Sequence, residues 1–249
     1  MASNYVQDSF NYNNQEVYNM NHADTVQLMY IAYYGRPADA EGLEFWAQEL
    51  ENVDGNIEAL IDAFGDSVEY TERYGDLNNE ALITGIYQQL FNRDPDEGGL
   101  KFYTQLLDEG AQSLSSIAID VLNGSTGEDE IIIDNKLTVA KAFTGMIAIN
   151  NVPYQSEELI NSAKDLLSQV DATEAQVESI VKQVFSLLGS IVNIPIDHGD
   201  IDVDIDFDFD INSADIITDC FSSDNRVSIS LIGTDDTTVE CPGAEIGLV

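Results

Sequence analysis

Tyr34-Gly35-Arg36-Pro37-Ala38-Asp39-Ala40-Glu41-Gly42-Leu43-Glu44-Phe45-Trp46 recurs later in the chain as Phe91-Asn92-Arg93-Asp94-Pro95-Asp96-Glu97-Gly98-Gly99-Leu100-Lys101-Phe102-Tyr103. The two arginines set the offset at 93 − 36 = 57 residues, and Tyr30 with Tyr87 and Leu50 with Leu107 keep it. Self-similarity at a fixed period marks a repeat architecture whose unit is one supersecondary element. Each copy reads as a helix ending in an aromatic residue, a turn holding Arg, Pro and Asp, and a second helix carrying Gly-Leu-x-Phe-aromatic.

The turn follows from its residues. Proline cannot continue the first helix, and Asp39 or Asp96 can cap the second by accepting from its free N–H groups. Gly42 and Gly99 lack a side chain and admit the close approach of another backbone. Phe45, Trp46 and Leu50 in the first copy, and Phe102, Tyr103 and Leu106 in the second, fall at helical spacing and are expected in the core. The turn acids Asp94 and Asp96 are also candidate cation ligands, with capping the stronger expectation.

Beyond the repeats the 3.6-residue period continues. Leu137, Ala140, Phe143, Thr144 and Ile147 form one stripe, and Leu159, Ala163, Leu166 and Leu167 a second. Val177, Ile180, Val181, Val184, Leu187 and Leu188 form a third. Pro153 and Asp171-Ala172-Thr173 separate them, so three helices pack on the repeats in a helical domain over residues 23–192.

Composition changes near Pro195. From Ile201 to Ile211 apolar residues alternate with Asp202, Asp204, Asp206, Asp208 and Asp210, the two-residue period of a half-buried strand. The expected fold class is therefore α+β: a mainly helical repeat domain followed by a small Asp-rich β tail over residues 195–249. On one strand face those carboxylates would stand about 6.6 Å apart, costly unless solvated or neutralised. Ca2+ takes six to eight hard oxygen ligands in irregular geometry and suits such a row better than Mg2+ or Zn2+. The same ladder also reads as a solvated acidic face that discourages edge aggregation. Cys220 and Cys241 could close one disulfide in an oxidising compartment, or stand as two free thiols.

Forty-six acidic residues face nine basic ones, giving a formal net charge of −37. That sign argues against nucleic acid and anionic membrane as partners, and self-repulsion works against association unless cations screen it. No basic, apolar start resembling a cleaved signal is present, and no apolar run is long enough to span a membrane. Export without a cleaved N-terminal signal is the expectation. The polar, basic-free residues 1–22 are a candidate intersubunit arm.

Arg36 and Arg93 occupy equivalent turn positions in a chain poor in bases. A planar guanidinium there is expected to pair with a carboxylate or stack on a ring. Contact with sugar is the secondary reading, with Trp46 and Tyr103 as aromatic partners. No nucleophile–histidine pairing, zinc spacing, phosphate loop or dinucleotide fingerprint is visible, so an enzyme is not expected.

The paired Arg-Pro-Gly-Leu-Phe-aromatic turns resemble a tandem helical domain common in secreted bacterial proteins, over roughly residues 23–188. The turns are also similar to those of phycobilisome linkers. The resemblance extends to the lipopolysaccharide-anchoring helical region of Gram-negative surface-layer proteins and to calcium-rich type I secreted proteins. It implies a C-terminal secretion signal, which the end Ile246-Gly247-Leu248-Val249 fits. This chain lacks the glycine-rich repeats of the calcium-rich members, so a calcium role must rest on the aspartate ladder. Two functions follow as expectations. One is a non-enzymatic extracellular structural subunit, of a surface layer or filament, that assembles with itself and is stabilised by calcium. The other is a cell-surface module that binds lipopolysaccharide or another surface polysaccharide without polymerising.

Overall fold

The computed structural model describes residues 22–191. Among them lie ten helices: α1 (His22–Tyr34), α2 (Ala40–Asn52), α3 (Glu58–Gly65), α4 (Val68–Tyr74), α5 (Asn79–Phe91), α6 (Glu97–Asp108), α7 (Leu114–Asn123), α8 (Glu128–Ile149), α9 (Glu157–Ser168) and α10 (Glu174–Ile191). The described residues contain no strand and no sheet.

The α+β expectation is thereby corrected to an all-α domain. The reason is periodicity, because most of the described helices bury residues three or four apart. Leu43, Ala47 and Leu50 show this on α2, and Leu159, Ala163 and Leu166 on α9. The proposed β tail lies outside the described residues. So do the aspartates 202 to 210, both cysteines and residues 1–21 of the proposed arm.

The repeat period governs three helices, not two. Shifted by the repeat offset, α1 superimposes on α5, α2 on α6 and α3 on α7, to within a residue or two at each end. The third member, which the sequence reading did not identify, starts differently in the two copies, since α3 follows Ile57 without a side-chain cap. Ser113 caps α7 in a reciprocal capping box with Ser116, and Ser67 caps the intervening α4 by accepting from the Tyr70 N–H.

Two helices form the centre. On α1, Ala23, Val26, Met29 and Tyr30 to Tyr34 are all buried, and α8 is buried along most of its length. A helix apolar on every side must be surrounded, and α8 packs against α1, α2, α5, α9 and α10. A buried polar knot joins α1, the first turn and α8. Gln27 Nε2 donates to Thr144 Oγ1 (2.7 Å), Thr144 Oγ1 donates to the Ala38 carbonyl (2.7 Å), and the Ala38 N–H donates to Gln27 Oε1 (3.0 Å). Each partner is satisfied, so burial costs little and the turn is held in one register on α8.

Candidate functional site

The repeated turns are the sites that the sequence singles out. Each first helix ends at a residue in the left-handed region, Gly35 (φ +65°) and Asn92 (φ +55°). That conformation stops the helix and turns the chain toward the arginine. Asp39 then caps α2, its Oδ1 accepting from the Gly42 N–H at 2.7 Å, and Asp96 caps α6 by accepting from the Gly99 N–H at the same distance.

The two glycines have a specific neighbour. A Cβ on Gly42 would stand 2.3 Å from the Tyr30 hydroxyl, and a Cβ on Gly99 would stand 2.7 Å from that of Tyr87. The close approach expected of a backbone is made instead by a repeated tyrosine side chain reaching over from the preceding helix. Tyr30 further donates to Asp39 Oδ2 at 3.4 Å.

The guanidinium groups both stack and pair. Arg36 lies 5.1 Å from the Tyr30 ring centroid, 5.3 Å from Tyr34 and 5.5 Å from Tyr154. Arg93 lies 5.3 Å from Tyr87 and 5.8 Å from Phe91, the equivalents of Tyr30 and Tyr34. In each copy Nη1 also donates to the carbonyl of the next residue, Pro37 or Asp94. The remaining edge makes a two-point contact with a carboxylate: Arg36 with Glu69 on α4, and Arg93 with Asp129 on α8. Lys164 on α9 donates to Glu69 as well, at 3.2 Å. Burial works to raise the Glu69 pKa, but Arg36 and Lys164 together hold it below the usual glutamate value.

Sequence reasoning named the arginines and missed their acids. Glu69 and Asp129 lie 33 and 36 residues downstream of Arg36 and Arg93, beyond any local motif. They are 129 − 69 = 60 residues apart, three more than the repeat offset, so a repeat alignment that tolerated a short gap would have paired them.

Of the four residues considered for sugar contact, three turn inward. Arg36 retains 12% side-chain exposure, Tyr103 is buried, and Trp46 is half-buried against Phe64, whereas Arg93 retains 43%. The aromatic surface lies one residue earlier. Phe45 and Phe102, expected in the core, are 56% and 58% exposed. Each meets the inward ring beside it, Trp46 or Tyr103, at 5.0 Å and 76°. On α2 the buried stripe is Leu43, Ala47 and Leu50, and at about 100° per residue Phe45 falls on the far side of it.

The turn acids are engaged within the fold. Asp94 accepts from Gln88 Nε2 at 2.8 Å, and Asp96 serves as the cap. Among the described residues no group of three or more His, Cys, Asp or Glu side chains is placed to hold a metal ion. No described helix is long and apolar enough to cross a membrane.

One buried base belongs to neither cluster. Lys136 on α8 is 1% exposed and donates from Nζ to the Gln89 carbonyl (2.7 Å) and to Asn92 Oδ1 (2.8 Å) at the end of α5. The residue equivalent to Gln89 is Ala32, whose carbonyl accepts from Gln89 Nε2 at 2.6 Å. In both copies a donor from a later helix therefore closes the exposed carbonyl end of the first helix. Burial without a counter-ion pushes the Lys136 ammonium down to about 7.

No curated protein and no solved structure gives a significant match to the chain. The family model described as Domain of unknown function (DUF4214) matches it twice in succession, over residues 2–73 and again over residues 61–125, so the three-helix repeat follows a tandem occurrence of that domain's sequence pattern.

Proposed function

We propose that this chain is a non-enzymatic extracellular structural subunit that assembles with copies of itself, in a layer or filament, with calcium stabilising the assembly. The observation that carries the reading is the pair Phe45 and Phe102. A large apolar side chain stands exposed at the same position of two successive structural units, each braced edge-on by an inward ring. Exposed aromatics repeated with the period of the fold provide evenly placed contacts for a repetitive partner. The net charge of −37 opposes such contacts between like chains. A divalent cation that screens and bridges carboxylates removes that opposition, and the run Asp202, Asp204, Asp206, Asp208 and Asp210 offers the densest set of them.

The glycan-binding alternative retains Arg93 as a contact. Its remaining residues, Arg36, Trp46 and Tyr103, are already committed to internal stacking and pairing.

Negative-stain electron microscopy of the full chain in millimolar calcium and after chelation tests the reading. Ordered polymer that dissolves on chelation is expected. The double variant Phe45→Ser and Phe102→Ser should keep the wild-type melting temperature and lose the polymer. Monodisperse particles in both conditions would sink the assembly reading, and retention on polysaccharide-bearing cells would then favour the glycan module.

A further inference from the structure

The two exposed phenylalanines stand in different electrostatic surroundings. Four residues before, one before and four after Phe45 on α2 come Glu41, Glu44 and Glu49, all exposed, and the helix holds no base. The same positions about Phe102 on α6 hold Gly98, Lys101 and Leu106. Residues three or four apart share a helix face, so Glu41 and Glu49 flank Phe45, whereas no acid flanks Phe102 at those positions. The nearest acid along α6 is Glu97, one turn before Lys101, and no ion pair joins the two. Among the described residues Lys101 is also the one base that engages no carboxylate, carbonyl or ring. Every other described base is in an ion pair or donates to a carbonyl oxygen.

We propose that the α2 face about Phe45 of one copy docks on the α6 face about Phe102 of the next, a head-to-tail contact between copies of this chain. The inference rests on the self-assembly reading and gives that contact its polarity. Charge decides among the pairings that two phenylalanine faces allow. Phe45 on Phe45 sets three glutamates against three, and like charges facing each other across an interface are costly. Phe102 on Phe102 sets Lys101 against Lys101 and gains no ion pair. Phe45 on Phe102 sets the glutamates against the unengaged base, and against Gly98, where no side chain stands in the way. Each copy then offers α2 to one neighbour and α6 to the other. Such a contact is heterologous, so it propagates into a filament or closes into a ring, and it does not stop at a two-fold dimer.

Single variants of the full chain test the polarity by sedimentation velocity, in the millimolar calcium under which the wild type is expected to polymerise. Phe45→Ser keeps only the α6 face intact, and Phe102→Ser only the α2 face. Each is expected to be a monomer alone, and an equimolar mixture should give dimers holding one copy of each. Both positions are exposed, so the wild-type melting temperature should be kept. Dimers of either variant alone would overturn the pairing and leave self-assembly standing. A mixture that stays monomeric beside a polymeric wild type would do the same. A wild type that is itself monomeric in calcium would remove both readings. The charge is tested separately. Lys101→Glu should raise the protein concentration at which polymer appears roughly fivefold, and adding Glu44→Lys to it should restore the wild-type value. A polymer indifferent to Lys101→Glu would count against the α6 face as the partner of α2.

Discussion

At the scale of single residues, the repeat preserves a contact more than a composition. Tyr30 over Gly42 and Tyr87 over Gly99 lock the second helix of each unit against the first through a hydroxyl that a methyl group would displace. Gly42→Ala should therefore destabilise the domain by about 1–3 kcal/mol through overpacking, read as a fall in the urea midpoint. Removing the hydroxyl should relieve the clash, so Gly42→Ala combined with Tyr30→Phe should be more stable than the sum of the single changes. Additive losses would show that the glycine serves another purpose. Lys136 offers a pH signature. Its folded-state pKa is depressed to about 7, whereas an unfolded lysine titrates near 10.4. Between those values the unfolded chain binds more protons, so stability rises with pH across the window and the cost of burying the charge is greatest below it. Above about pH 10 the buried tyrosines Tyr30, Tyr70 and Tyr154, whose pKa values burial raises, work in the opposite direction. Lys136→Met should flatten the rise between pH 7 and 9.5 in urea titrations. An unchanged slope would remove Lys136 as its source.

At the scale of elements, the two arginine turns are one device in two settings. Both guanidinium groups stack on the same pair of aromatic positions and grip a carboxylate from a later helix, but the first is more enclosed. Arg36 keeps 12% side-chain exposure against 43% for Arg93. Losing the acid from an enclosed pair leaves a buried charge unmatched, whereas an exposed base recovers water. Glu69→Gln should thus cost about 2–4 kcal/mol and Asp129→Asn about 1 kcal/mol or less, measured by chemical denaturation at neutral pH. Equal losses would mean that burial does not separate the two turns. The stripe on α2 also explains a misplacement. Helical spacing made Phe45 and Trp46 equally eligible for the core, yet adjacent residues point about 100° apart. The buried set Leu43, Ala47 and Leu50 leaves Trp46 at the margin and Phe45 outside.

At the scale of the whole molecule, the described residues form two three-helix units joined through α4 and closed by α8, α9 and α10, with α1 and α8 at the centre. Repeat proteins stack units that cannot bury their own apolar faces and need caps at their ends. Here α8 caps the second unit through Lys136 and Asn92 while its Thr144 reaches back to the first turn at Ala38. One helix thus fixes both units. The charge is global too, and the proposed assembly would need cations to offset it.

The repeat offset, the break at each proline, the capping aspartates and the three later helices were all legible in the sequence, because each depends on residues within one or two helical turns. The pairing of both arginines and the stacking beneath them followed from the scarcity of bases. Tertiary structure alone decided which acids answered them. Glu69 and Asp129 reach their arginines only after α4 and α8 have packed, and ion pairing has no sequence period. It also decided that Tyr30 fills the space above Gly42, that Lys136 closes the end of α5, and that Phe45 and Phe102 face outward. In each case the reason is the same: a helical period fixes the angles between side chains, and only the packed neighbours fix which of those angles is the inside.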